Sequence, residues 1–389
     1  MKHAVVYRNL TLLVASTLTV MAGAVIAPAL PEISRHFSSN DHAELLSKLI
    51  LTLPALSTAI LAPVAGYFVD RSGRRLVLLL SLALYAVAGT TGAYLGHIYI
   101  ILAGRAFLGV AVGALMTAVV TLIGDYFDGH ERSRFMGYQA AFAGMGGMLF
   151  ISVGGLLADV HWRAPFLIYA FSLVVMVFAW WLVPEPVRPG HDVASNGGDI
   201  SRFLPIPRKI ILVYVIAFFS MAVFYMIPVQ MPFMLSAIDG VSNTQVGFAI
   251  AFMNVTAVGM ALNYGRVKKR MGFPAVMAMV YVFVAAGYII ISQAQDYWVL
   301  VGGILVSGAG FGMQMANINL WLVSLAPPPV RGRLVGYLNA IIFLGMFLSP
   351  ILLQPLVALT NLYQSFFVVA ILLLFFAAVF IVAMPESHT

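Results

Sequence analysis

The chain predicts an all-α membrane protein: 12 transmembrane helices in two pseudo-symmetric six-helix bundles. Three observations carry this prediction. Hydrophobic residues make up 62% of the sequence and charged residues 9%, against about 45–50% and about 25% in soluble proteins. A water-exposed surface needs far more charge than that, so lipid is the solvent. Apolar runs of the roughly 20 residues that a helix needs to cross the hydrocarbon core recur along the chain. The third observation is a repeat: the second half of the chain repeats glycines, arginines and a tyrosine of the first at one fixed offset.

The runs lie near residues 10–30, 46–69, 76–95, 98–123, 135–158 and 164–183, then 210–235, 245–267, 274–292, 297–325, 334–359 and 363–384. They are called spans 1 to 12 below. They divide the chain into an N-terminal six-helix bundle over 1–183, a cytoplasmic linker over 184–209 rich in Pro, Gly and Ser, and a C-terminal bundle over 210–389. The opening run, preceded by Lys2 and Arg8, also has the outline of a signal peptide. Cleavage would remove a span that has a counterpart at 210–232, so an uncleaved first span is the reading adopted.

The repeat is anchored at Gly66-Tyr67-Phe68-Val69-Asp70-Arg71-Ser72-Gly73-Arg74-Arg75, a charged turn between two apolar runs. Gly66, Arg71 and Gly73 return as Gly265, Arg270 and Gly272. Gly104, Gly109 and Gly113 return as Gly303, Gly308 and Gly312, and Arg132, Arg134, Gly137, Tyr138 and Gly146 as Arg331, Arg333, Gly336, Tyr337 and Gly345. Two copies in the same orientation are one of the repeat patterns of transporters. With these residues the chain resembles the major facilitator superfamily. The turn is similar to that superfamily's signature between its second and third helices, and the resemblance covers essentially the whole chain. Within the superfamily, the 12-helix drug:proton antiporter branch is the nearest likeness.

With the N-terminus inside, 17 of the 21 Lys and Arg residues face the cytoplasm, while Arg35, Lys48 and Arg163 are left in outer loops. The positive-inside rule selects this orientation, with both termini cytoplasmic. The net charge of +7 is then explained by basic loops facing an anionic leaflet, with no nucleic-acid partner. A bacterial cytoplasmic membrane is the expected location. Cysteine is absent, so no redox compartment is legible.

Candidate functional residues follow in chain order. Pro28 and Pro31 bend the outer end of span 1, in a Pro-x-x-Pro similar to one in the antiporter branch. Glu32 after them is either a solvated helix-end acid or a proton carrier. Glycines 66 and 73 with Arg71, Arg74 and Arg75 form the turn, and Asp70 matches the acid that in the superfamily locks the halves against the start of helix 11; with Glu32 and Arg105 it is also a proton-coupling candidate. The second copy has Lys269 there. Arg105, in span 4, is a basic side chain about 10 Å below the outer helix end at 1.5 Å per residue. A buried guanidinium is functional by default, though snorkelling or carbonyl bonds are the alternative. The resemblance links this arginine to proton coupling. All 14 acidic residues fall at helix ends or in loops, which departs from drug antiporters with a mid-membrane carboxylate and leaves Arg105 for an anionic or zwitterionic substrate. Gly137, Gly146, Gly154 and Gly155 in span 5 have the antiporter-motif spacing, with Phe150-Ile151 where a Gly-Pro pair is expected; plain helix packing explains them equally well. By carry-over of the cavity-lining helices 1, 4, 7 and 10, Met21, Arg105, Tyr225, Gln230, Gln314 and Asn317 are substrate-pocket candidates, with interhelical bonding as the alternative.

Three other classes fail. The eight histidines lie in loops, termini or helix edges, which leaves no enzyme pocket. No ring of charges suggests a channel, and no phosphate-binding loop suggests ATP-driven pumping. The expectation is therefore a proton-coupled antiporter that exports small amphipathic molecules or drugs by alternating access. The alternative is a proton symporter or facilitator for a small organic anion or metabolite using Arg105. Small-molecule substrate, protons and lipid are the expected partners, no metal or other cofactor is expected, and a monomer is the state common in the superfamily.

Overall fold

A computed structural model describes residues 2–186, 207–327 and 330–383. Among them 12 helices are long and apolar enough to cross a membrane, and no strand occurs. Residues 187–206 of the expected linker lie outside the described residues. Helices overrun the apolar runs at many of their ends. Span 2 occupies Ala43–Ser72 and span 5 Gly129–Val160, because hydrogen bonding continues through charged residues such as Arg71, Glu131 and Arg132 that lipid composition alone would exclude. Lys48, expected in an outer loop, is thereby corrected to a place inside the span 2 helix, where it is fully buried and its ammonium meets Glu44 one turn away at 2.5 Å.

Span 1 shows the expected bend. Lys2–Ala24 gives way to a 3-10 turn at Ala27–Ala29 and a new helix at Leu30–His36. Pro28 and Pro31 sit in the first turns of those two segments, where a missing N–H costs nothing. They restart the helix; they do not end it.

The described residues cluster into two units. The first takes residues up to 186 together with Ser242–Gly247, and the second takes 207–241 and the chain from 248 onward. Inside each unit the repeat is visible as packing. A side chain at Gly109 in span 4 would lie 2.2 Å from the Pro54 carbonyl and 2.7 Å from Ser57 on span 2. At Gly308 in span 10 it would lie 2.3 Å from Thr256 and 2.6 Å from the Met253 carbonyl on span 8. Those neighbours are themselves 199 positions apart, so the same backbone-to-backbone crossing is built twice. Tyrosines repeat in a looser way. Tyr85 of span 3 donates to the Leu18 carbonyl of span 1, and Tyr288 of span 9 to the Val223 carbonyl of span 7.

Candidate functional site

The signature turn is tighter than its sequence implies. Expected as a ten-residue turn over 66–75, it is corrected to a single residue: helix runs through Ser72 and resumes at Arg74, with Gly73 alone between them at φ 98°. That backbone angle, at ψ 149°, is essentially glycine-only. Such a reversal exposes the N–H groups that open span 3, and a residue 110 positions away supplies the acceptors. Glu185, just past span 6, accepts from the Arg74 and Arg75 N–H groups through its two oxygens, each at 2.8 Å. Asp125 at the end of span 4 pairs with the Arg74 guanidinium at 3.0 Å, and Arg75 donates to the Trp180 carbonyl of span 6. Arg71 donates to the Tyr67 hydroxyl. The Asp70 side chain lies outside the described residues, and Gly66 meets no neighbour that a side chain would hit. The second copy is looser. Span 8 ends at Lys268, whose ammonium lies 3.8 Å from the Phe273 ring centre, and span 9 starts only at Phe273.

Arg105 is fully buried in the first unit. Its Nε donates to the Ile50 carbonyl of span 2 at 2.8 Å and its Nη2 to the Ala22 carbonyl of span 1 at 2.5 Å. The Ile50 carbonyl needs an outside donor because its helical partner would be residue 54, a proline without an N–H. The Tyr169 ring sits 4.9 Å from the guanidinium carbon, and its hydroxyl shares the Ala22 carbonyl. Nη1 has no hydrogen-bond partner. The arginine ties span 4 to spans 1 and 2 through backbone oxygens and to span 6 through the Tyr169 ring; the carbonyl bonds are the arrangement weighed above as the alternative to a coupling role.

The remaining pocket candidates separate. Met21 is fully buried in span 1. In the second unit Asn317 of span 10 accepts from Tyr264 and donates to the Phe273 carbonyl, while Gln314 reaches the Ser220 carbonyl of span 7 at 3.4 Å. Both serve interhelical bonds. Tyr225 is buried, and Gln230 is fully buried with neither amide atom hydrogen-bonded. Gln230 lies between Pro228 and Pro232 of one unbroken helix. Of the packing glycines, a side chain at Gly146 would meet Thr17 at 2.5 Å and one at Gly154 the Val25 carbonyl at 2.1 Å, both on span 1 or its end, whereas Gly137 faces open space.

At the opposite end of the first unit, Asp159 closes span 5 over the first turn of span 8. It accepts from the Asn243 N–H at 2.7 Å, the Thr244 N–H at 3.1 Å and the Thr244 hydroxyl at 2.5 Å. Glu32 accepts from the Asn243 side-chain amide at 2.7 Å.

A model of the Major Facilitator Superfamily matches residues 12–350, and again residues 213–389. The chain belongs to the major facilitator superfamily. The second match falls on the C-terminal repeat alone, as two copies of one unit require. The tetracycline resistance protein, class C, of Escherichia coli is 27% identical over 88% of this chain and 87% of its own. The bacillibactin exporter of Bacillus subtilis is 24% identical over 88% and 87%. Among solved structures, a bacterial homologue of the human lysosomal transporter Spinster superposes over the full length of both chains with a TM-score of 0.80 at 16% identity. This superfamily member is therefore a multi-pass membrane transporter of small molecules, not an enzyme.

Sequence reasoning on this superfamily member missed Glu185, Asp125 and Asn243. Glu185 follows a proline directly after a span, and the opening of span 3 carries no acid in its own first turn. Together these were the available signal. For Asn243 no local signal separates it from any polar helix start.

Proposed function

We propose that the protein is a proton-coupled antiporter that exports small amphipathic molecules by alternating access, with its two six-helix bundles as the moving bodies. The observation that carries this reading is the likeness, over nearly the whole chain, to proteins named for tetracycline resistance and for bacillibactin export. A transporter confers resistance by moving the compound out, and exit against a gradient needs a driving ion. The sequence carries no Gly-x-x-x-x-Gly-Lys-Ser/Thr phosphate loop, so protons entering are the simplest source. The protein acts as a monomer in a bacterial cytoplasmic membrane.

In this reading Tyr225 and Gln230 of the second unit contact the substrate, with the Gln230 amide as the hydrogen-bonding point, and Met21 of the first unit offers a methionine surface that adapts to varied substrates. Gln314 and Asn317 brace the helices of the second unit. Arg105 contributes the fixed frame of the first bundle, while the Gly66–Arg75 turn with Asp70 gates the inner side. Glu32, half-buried beside Asn243, is the proton carrier.

Purified protein in liposomes with an internal pH dye tests this. With the lumen made acidic, uptake of a cationic or neutral amphipathic compound accompanied by alkalinisation of the lumen is the expected result. Uptake confined to anions, with protons moving in the same direction as the substrate, overturns antiport. Undiminished pH-driven uptake by Glu32→Gln removes Glu32 as carrier.

A further inference from the structure

We propose that Asp159 is a positioning residue of transport: it holds the first turn of span 8 against span 5 and releases it once in each cycle. This rests on the alternating-access reading above.

The first turn of span 8 does not need Asp159 to be a helix. Its own residues cap it reciprocally, the Ser242 N–H donating to the Gln245 side chain at 2.9 Å and the Gln245 N–H to the Ser242 hydroxyl at 3.2 Å. This is a complete capping box. The three bonds to Asp159 come on top of it, from a helix about 84 positions earlier in sequence. They attach the turn to its neighbour. A carboxylate suits the place, since the free N–H groups and the helix dipole concentrate positive charge there. Glu32 adds a second attachment through the Asn243 amide.

The surfaces beneath meet at two glycines. A side chain at Gly155 would lie 2.6 Å from the Asn243 carbonyl, and one at Gly247 would lie 2.9 Å from the Ile151 carbonyl. At these two glycines the backbones come close with no side chain of their own between them, so separation there leaves no side-chain hole. Residues 242–247 cluster with the first unit, and the same helix continues from Phe248 in the second. Release from Asp159 lets span 8 move whole, with its own cap intact.

The chain contains no cysteine, so one introduced thiol reports access. Ile26, fully buried at the outer end of span 1 beside the Val25 carbonyl that Gly154 contacts, is the reporter position. Ile26→Cys protein in sealed vesicles is labelled from outside with a membrane-impermeant maleimide. Adding Asp159→Ala, which removes all three bonds, is expected to speed labelling at least about tenfold, the effect of a single charge-assisted hydrogen bond, and Thr244→Ala to speed it less. Ser242→Ala, which breaks the helix's own cap, leaves labelling near the parent rate. Labelling within twofold of the parent for Asp159→Ala and Thr244→Ala overturns the proposal, as does an equal increase from Ser242→Ala, which assigns the effect to helix integrity. Labelling needs no substrate: absence of proton antiport defeats only the reading above, and unchanged labelling beside intact transport defeats only the latch.

Discussion

At the residue scale, Arg105 illustrates how a charge can be buried without a counter-ion. A lone guanidinium in a low-dielectric interior costs several kcal/mol, and here the compensation comes from carbonyl dipoles and an aromatic face. Pro54 creates one of those acceptors by withholding the N–H that would have met the Ile50 carbonyl. The pair is testable by a mutant cycle. Arg105→Met is expected to lower stability by about 2 kcal/mol, the scale of leaving a buried acceptor unmade. Adding Pro54→Ala restores a backbone donor to Ile50 and recovers about 1 kcal/mol of that loss. Thermal unfolding of the four purified proteins measures it, and strictly additive losses would detach Arg105 from Pro54. The sequence located this arginine and its depth. It left open whether the guanidinium faced a cavity or backbone, because that depends on which carbonyls spans 1 and 2 leave unpaired beside it.

At the element scale, the glycines sort by what lies opposite. Gly109 and Gly308 occupy the same repeat position and crowd backbone or a short side chain at 2.2 and 2.3 Å, while Gly137 faces open space. Gly109→Val and Gly308→Val are therefore expected to push spans 2 and 4, and spans 8 and 10, apart at a cost of about 1–3 kcal/mol each. Gly137→Ala leaves stability unchanged or slightly raised, since alanine is the better helix former. Monodisperse recovery and melting temperature in detergent decide it; a stable Gly109→Val protein would contradict the close crossing. The repeat register named Gly109 and Gly308 in advance. The same register also named Gly137, and packing does not explain it, because spacing along a helix reports which residues share a face and not what that face meets. The signature turn shows the same limit. Glycine at position 73 was evident, but Glu185 as the acceptor for the opened span required the ends of spans 3 and 6 to be neighbours.

At the scale of the whole molecule, charge asymmetry predicts how the chain is oriented. Residues such as Arg71, Arg74, Arg75, Arg132 and Arg134 gather at one end of the spans, and each resists crossing the bilayer. Both termini are expected inside. In the cysteine-free background, a thiol placed at Ser387 or Lys2 is expected to resist impermeant maleimide in intact cells and to react after permeabilisation. Ready labelling of intact cells at both positions would invert the topology and, with it, the inner and outer assignments made for Gly73 and Asp159.

The sequence by itself determined the solvent, the number of spans, the duplication and the family, because these rest on composition, length and a fixed offset, all of which are properties of the chain read along one dimension. Only the tertiary structure decided that Arg105 is tied to carbonyls, that Glu185 and Asp125 finish the signature turn, and that Asp159 and Glu32 meet Asn243. Those are pairings between residues tens to hundreds of positions apart. In lipid, where apolar surface drives little helix sorting, such partners are set by which backbone groups go unsatisfied and how closely glycines let helices approach.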